Sequence, residues 1–451
     1  LFSLLSPKTV TVIQKKKIDM EIRRDRYLNK LIAKKQNGMI KIVTGIRRCG
    51  KSYLLNHLFR QHLLASGVGE EDIVILALDE DVNAKYRNPF ELGKYIREIC
   101  ADKSRYFYVL LDEIQKVDSI QNPYLPDNPD EKISFVDVLL GLKEEPNIDL
   151  YVTGSNSRML SMDILTEFKD RGEEIRVNPL TYDEFVSAYQ GGSRLAWTEF
   201  MMYGGMPFVM HKDGHAEKAA YLQGLFEKTY ITDVIERNQL KASKNVLEDL
   251  LNYLASSVGS LTNATRLENT FKSIKKQNIA HQTISAYIDH FIDAFIIRKA
   301  ERYDIKGRKY IGAQQKYFFT DVGLRNARLN FRQQEENHIM ENILYNELTA
   351  RGFSVDVVET TVTNSAGNRQ RSQPEVDFVC QRDYGCYYIQ SALTVADENK
   401  RLQEINLLTK INDSFIKIVV VKDYIIQWHD EAGILYIGIE DFLLNYINQM
   451  E

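Results

Sequence analysis

Residues 40–55 read IKIVTGIRRCGKSYLL. Ile40, Ile42 and Val43 form a short apolar run suited to a buried strand. Gly45, Gly50, Lys51 and Ser52 then fit G-x-x-x-x-G-K-[ST], and Leu54, Leu55, Leu58 and Phe59 continue with helical spacing. Strand, glycine loop and helix come in the order a phosphate-binding loop requires. Glycines let successive backbone N–H groups turn inward onto phosphate oxygens, and the helix N-terminus adds positive dipole. Lys51 is placed to reach the β- and γ-phosphates, and the Ser52 hydroxyl to take one Mg2+ position. The nucleotide-binding set read from this stretch is Gly45, Arg47, Arg48, Cys49, Gly50, Lys51, Ser52 and Tyr53, with ATP and Mg2+ as the expected ligands. Arg47 and Arg48 either add cations beside the phosphates or pair with acids.

Working outward, further strand-like runs follow in α/β rhythm: Ile73 to Glu80, Tyr106 to Gln115, Asp149 to Asn156 and Glu173 to Leu180. Helical stretches separate them, the pattern of a parallel sheet covered on both faces, whose ligands sit at the carboxyl ends of the strands. The second run ends in Asp112 and Glu113. Asp112 is placed to hold Mg2+ and Glu113 to polarise an attacking water, so hydrolysis as well as binding is expected. Ser155 or Asn156, ending the adjacent run, can hydrogen-bond the γ-phosphate or the water, with Asn156 the first choice. Arg171 is either a transition-state arginine, in cis or from a neighbouring subunit, or a surface arginine in a charged loop. Three of the nine prolines fall between Val117 and Lys132, which marks a surface insertion.

A length of 451 residues allows two to four domains. Fifty-eight basic against 62 acidic side chains leave a net charge of -4, which offers no whole-chain attraction for a polyanion but permits a local basic face. Cys49, Cys100, Cys380 and Cys386 lack paired C-x-x-C spacing and read as reduced thiols of a cytoplasmic protein. No apolar run approaches the ~20 residues of a membrane span. Residues 1–19 carry their lysines after the apolar part, unlike a signal peptide, and are expected to be a disordered or spurious extension.

Taken together, GIRRCGKS, LLDEIQKV, VTGSNSRML, the Arg171 segment with NPLTYDEF, and YGGMP (Tyr203 to Pro207) resemble the prokaryotic AAA-type, archaeal-ATPase-like P-loop proteins that carry a C-terminal domain of unknown function. The resemblance covers nearly all of 20–445. It implies Lys51, Ser52, Asp112, Glu113 and a sensor at 155–156 in the roles given above, and makes Arg171 the arginine-finger candidate. The expected organisation is an AAA-type core at 20–190, a helical lid and linker at 191–262, a winged helix at 263–332, and a restriction-endonuclease-like α/β domain at 333–451.

In the winged-helix stretch Ile284, Ile288, Phe291 and Phe295 share a helical face, and two strand-like runs flank a turn at Asp304, Lys306 and Gly307. A DNA-reading version would set the 281–290 helix in the major groove and Lys306, Arg308 and Lys309 on phosphate, helped by Lys272, Lys275 and Lys276; Asp289 and Asp293 oppose this, and packing modules share the pattern. In the C-terminal stretch Glu341, Asp377 in PEVDF and Gln390 in YIQSA resemble an endonuclease core. Active members place a second acid where Gln390 stands and a lysine where Ala392 stands, so a core without cleavage is expected. The expectation is a Mg2+-dependent ATPase acting as a nucleotide-driven switch on double-stranded DNA or on a protein partner, with homo-oligomers and no membrane. The alternatives are a low-turnover nucleotide-binding regulatory module and, less favoured, an ATP-dependent nuclease.

Overall fold

The computed structural model of the chain describes residues 21–128, 130–154, 171–237, 240, 244–276, 278–304, 309–310, 315–333, 335–359, 375–396, 398–411 and 413–450. The expected extension at 1–19, Ser155 and Asn156 lie outside them. The first half contributes strands β1 (Ile40–Thr44), β2 (Ile73–Ala77), β3 (Phe107–Asp112), β4 (Ile120–Gln121), β5 (Lys132–Ile133), β6 (Ile148–Thr153) and β7 (Gly172–Arg176). The β4–β5 pair is a small antiparallel hairpin within the proline-bearing insertion. The other five make one parallel sheet in the order β2-β3-β6-β1-β7, the P-loop NTPase arrangement the sequence predicts.

Every residue of β1, β3 and β6 is buried because helices cover both faces. These helices are α1 (Asp25–Ala33), α2 (residues 51–65), α3 (Pro89–Ile99) and α4 (Phe135–Lys143). Ile42, Val109, Leu111 and Val152 pack against Leu92 and Ile96 of α3 and Leu139 and Leu142 of α4. Val43, Tyr108, Leu110 and Tyr151 face Leu54, Leu58 and Phe59 of α2. Local sequence sets the helix starts: the Asn88 side chain caps α3 ahead of Pro89, and Ser134 with Asp137 forms a capping box on α4. Among the polar residues buried in these strands, Lys41 forms an ion pair with Asp149, whose carboxylate also accepts from the Tyr151 hydroxyl and the Gln36 N–H at 2.8 Å each.

The middle of the chain is helical: α5 (Tyr182–Ala188), α6 (Ser193–Tyr203), α7 (residues 214–237), α8 (Lys244–Ser256), α9 (residues 264–275) and α10 (His281–Asp293). The break after α6 is steric: Gly204 sits at φ +68°, and a Cβ on Gly205 would collide with the Leu180 carbonyl. Ile284, Ile288 and Phe291 bury along α10 as their spacing predicts. After it come β8 (Ile297–Ala300), β9 (Arg302–Asp304), β10 (Lys309–Tyr310) and β11 (Lys316–Phe319). β8 pairs with β11, whereas β9 and β10 leave that pair and join the C-terminal sheet.

That sheet continues, past α11 (Val322–Arg328) and α12 (Glu336–Ala350), with β12 (Ser354–Glu359), β13 (Glu375–Arg382), β14 (Gly385–Ala392), β15 (Ile416–Val421), β16 (Trp428–His429) and β17 (Leu435–Gly438). Its order is β10-β9-β12-β13-β14-β15-β17-β16, with α13 (Glu398–Lys410) and α14 (Ile439–Leu444) completing the layers. Phe378, Ile389, Ile418 and Ile437 meet Ile339, Ile343 and Leu344 of α12; Tyr388, Val419 and Tyr436 meet Leu407 and Leu408 of α13. Hence Arg302–Asp304 and Lys309–Tyr310, read from the sequence as part of the winged helix, are strands of the C-terminal sheet. Among the described residues no helix is long and apolar enough to cross a membrane, and all four cysteines are free.

Candidate nucleotide site

The loop between β1 and α2 is shaped by steric necessity. Gly45 has φ +138°, and a Cβ there would run into the Val177 carbonyl; Gly50 has φ +100° and starts α2. Arg48 also adopts a left-handed φ of +68°, a strain that clusters at functional turns. The Lys51 ammonium is buried and donates to the Gly45 and Ile46 carbonyls at 3.0 and 3.2 Å, so it lies inside the ring of its own loop, where phosphate oxygens would compete for it.

Two of the predicted binding residues face elsewhere. Cys49 is fully buried and turns its thiol to the Val177 carbonyl at 3.4 Å. Arg47 donates to both oxygens of Asp233 on α7 at 3.0 and 2.9 Å, while the Tyr230 hydroxyl donates to the Arg47 carbonyl. Of the two options in the sequence, Arg47 takes pairing with an acid; this ties the loop to the helical segment.

The acids stand at the carboxyl end of β3. Asp112 is 5% exposed, accepts from the Thr153 hydroxyl on one oxygen and from Asn56 Nδ2 at 3.4 Å on the other. Glu113 lies at φ +54°, its N–H donates to Thr153 Oγ1 at 3.0 Å, and its carboxylate contacts the Gln115 amide. The sequence reading gives no role to Thr153 or Asn56, although each carries a signal: Thr153 ends the strand beside Asp112, and Asn56 lies one helical turn beyond Ser52.

The loop and Glu113 open onto one cavity of about 430 Å3. Its lining joins the polar Arg24, Arg48, Gly50, Lys51, Ser52, Glu113 and His211 to the apolar and aromatic Ile22, Tyr53, Leu180, Pro207, Phe208 and Tyr221. An anionic tail fits the loop residues and a flat heterocycle the apolar and aromatic lining. A hydroxyl (Ser52) and a carboxylate (Asp112) are hard oxygen donors of the kind Mg2+ takes. The YGGMP stretch reaches the cavity through Pro207, followed by Phe208, which gives that motif a place that no local signal in the sequence specifies.

Arg171 is not brought here. It is exposed, precedes β7, and accepts the Ile40 N–H at 3.0 Å, so it lies at the opposite end of β1 from the loop, about 16 Å away at strand rise. A cis contact with the phosphates is thereby corrected. Asn156 lies outside the described residues.

In the C-terminal sheet Asp377 and Gln390 sit side by side. The Asp377 carboxylate accepts from Ser391 N and Oγ at 2.8 and 2.6 Å and from Gln390 Nε2 at 3.2 Å. Burial and the nearby Glu341 push its pKa up to about 7. Lys316, on β11, pairs with Glu341 at 3.4 Å, both buried. Ala392, where the resemblance calls for lysine, is in the apolar core, and among the described residues no cluster of His, Cys, Asp and Glu is arranged to hold a metal ion.

A family model described as an AAA domain matches residues 37–186, and one described as a domain of unknown function (DUF8612) matches 194–335. An uncharacterized protein of Haemophilus influenzae is 31% identical over 428 residues, covering 94% of this chain and 98% of that one. One from Methanocaldococcus jannaschii is 26% identical over 330 residues, 70% of this chain and 67% of its own length. Among solved structures, the Walker-type ATPase of Pyrococcus abyssi superimposes with a TM-score of 0.47 at 14% identity, over 68% of this chain and 96% of that one. The ORC2 protein of Aeropyrum pernix gives 0.38 at 11%, over 71% and 92%. The match to an AAA domain covers the parallel sheet and the phosphate loop, and the likeness to the Haemophilus protein runs the length of both chains: this protein belongs to that protein's family and carries an AAA-type P-loop domain at 37–186.

Proposed function

We propose that the protein binds ATP with Mg2+ in the cavity between the loop and the YGGMP stretch, hydrolyses it, and uses the change as a switch on double-stranded DNA or a protein partner. The observation that carries this is the convergence of Lys51, Ser52 and Glu113 on one cavity, with Asp112 locked beside them by Thr153 and Asn56. Ser52 and Asp112 would hold Mg2+, which would supply positive charge against the triphosphate. Glu113 takes a proton from water as its oxygen bonds to the γ-phosphorus; the bond from that phosphorus to the β-phosphate oxygen breaks, releasing ADP and inorganic phosphate. Lys51 and the loop N–H groups stabilise the growing negative charge. Arg171 serves only in trans in this reading, from a second copy.

Support for a DNA partner is confined to Lys272 and Lys276, exposed at the end of α9, since Lys275 pairs with Asp249 at 2.8 Å and the turn at 305–308 is outside the described residues. Asp289 on the exposed side of α10 opposes it. For the C-terminal domain we keep the endonuclease-like core without cleavage: Asp377 is buried among hydrogen bonds, and Gln390 takes the position of a second acid.

The test is steady-state ATP hydrolysis by wild type and Glu113→Gln, with and without duplex DNA. Turnover in wild type, lost in the variant and raised by DNA, is the expected result. Binding without turnover under every condition would leave the low-turnover regulatory module.

A further inference from the structure

We propose that Arg24 is a positioning residue for the phosphate loop and that the C-terminal domain holds it in place, so that seating of that domain strengthens nucleotide binding. The inference rests on the nucleotide reading above. Arg24 precedes α1 and is 2% exposed. Its guanidinium donates to the loop carbonyl of Cys49 at 3.3 Å and to the Asn178 carbonyl at 2.6 Å, and it stacks over the Tyr27 ring at 4.8 Å. Cys49 immediately precedes Gly50 and Lys51, so this tie acts on the backbone that shapes the phosphate end of the cavity. The loop's glycines make that backbone deformable, which is why an outside tie matters.

The tie continues away from the cavity. Arg24 Nε stands 3.4 Å from the Glu184 carboxylate, whose other oxygen accepts from Thr181 N at 3.1 Å and closes the capping box of α5. One residue earlier, Asp183 pairs with Arg26 at 3.3 Å and with Arg351 at 3.2 Å. Arg351, at the end of α12, pairs with Glu347 at 2.5 Å, and Glu347 accepts the Tyr182 N–H at 2.7 Å. Two ion-paired groups, Arg24 with Glu184 and Arg26–Asp183–Arg351–Glu347, are therefore joined through the adjacent residues Asp183 and Glu184 of α5 and lead from the loop to the helix that backs the C-terminal sheet. Apart from Arg26 and Asp183, which are half-buried, these side chains are almost wholly shielded from water. Moving one would leave its neighbour buried without a counter-charge, so the first turn of α5 transmits displacement in place of absorbing it. The loop is thus held open or let go according to how α12 sits.

The test uses the full chain and a fluorescent ATP analogue with Mg2+, measuring Kd for wild type, Arg24→Gln, Arg24→Lys and Asp183→Asn, alongside thermal unfolding without nucleotide. Arg24→Gln is expected to raise Kd about tenfold or more, with Arg24→Lys in between because it keeps the charge but loses the fork. Asp183→Asn, which touches neither cavity nor loop, is expected to raise it about threefold or more through the chain. An unchanged Kd in Arg24→Gln, whatever the unfolding midpoint, makes the arginine purely structural and overturns the positioning role. An unchanged Kd in Asp183→Asn overturns the C-terminal link. If Arg24→Gln does not fold, Arg24→Lys and Asp183→Asn decide. Wild type that binds no nucleotide removes the nucleotide reading itself, a result distinct from wild type that binds while the variants are indifferent.

Discussion

The Thr153 hydroxyl donates to the Asp112 carboxylate, and the same oxygen accepts the Glu113 N–H at 3.0 Å, so one side chain on β6 fixes both acids of β3. Glu113 needs the help, since φ +54° costs a non-glycine residue roughly 1–2 kcal/mol. Thr153→Val keeps the shape and removes the hydroxyl. It is expected to cost about 1–3 kcal/mol in urea unfolding, because a buried carboxylate oxygen and an N–H lose their partner. Turnover should fall about a hundredfold as the acids lose their alignment, with nucleotide affinity little changed. Wild-type turnover in the valine variant would sink this assignment.

Lys51 gives two of its three donors to the loop's own carbonyls, those of Gly45 and Ile46. A triphosphate offers better acceptors, so binding should be visible as stabilisation. At a hundred times Kd, wild type should gain about 2.7 kcal/mol, and Lys51→Ala should gain almost nothing. Thermal unfolding with and without ATP and Mg2+ reads both, and an equal shift in the two proteins counts against the site.

Gly45 and Gly67 both have positive φ, +138° and +88°, but only Gly45 lacks room for a Cβ, since the Val177 carbonyl occupies the space and nothing lies within 4 Å of Gly67. Gly45→Ala is therefore expected to cost more than about 2 kcal/mol and to abolish nucleotide binding, and Gly67→Ala only about 1 kcal/mol. Equal losses in denaturant unfolding would mean that the close approach of β7's end to the loop does not matter.

Asp377 gives a pH signature of definite sign. Burial and Glu341 raise its pKa to about 7 from 3.8, so the ionised form is disfavoured in the folded chain. The folded state binds the proton more tightly than the unfolded state between those values, and this group's contribution to stability therefore increases as pH falls from about 7 toward 4. Asp377→Asn removes that dependence. Relative to wild type the variant should be more stable at pH 8, by about 2 kcal/mol, with the difference shrinking toward pH 4–5. Urea unfolding at both ends of the range checks it. A variant less stable than wild type at pH 8 would show that the bonds from Ser391 and Gln390 outweigh the cost of burying the charge.

What the sequence determined by itself was whatever is encoded within a few residues. The phosphate loop announces itself because strand, glycines, Lys51 and Ser52 must be contiguous, and the parallel strands are legible as apolar runs because both faces of that sheet are covered. The same holds for α10 and for the β12 to β15 stretch, where periodicity or unbroken burial leaves a local trace. The tertiary structure alone decided the long-range pairings. It sent Arg47 to Asp233, 186 residues away, set Thr153 against Asp112 across 41 residues, and left Arg171 at the far end of β1. It gave the strands Arg302–Asp304 and Lys309–Tyr310 to the C-terminal sheet, and it brought Lys316 to Glu341. Charge pairing and edge pairing are short-ranged in space but carry no periodicity along the chain, so only the packed arrangement of α5 and α12 could join Arg24 to Arg351.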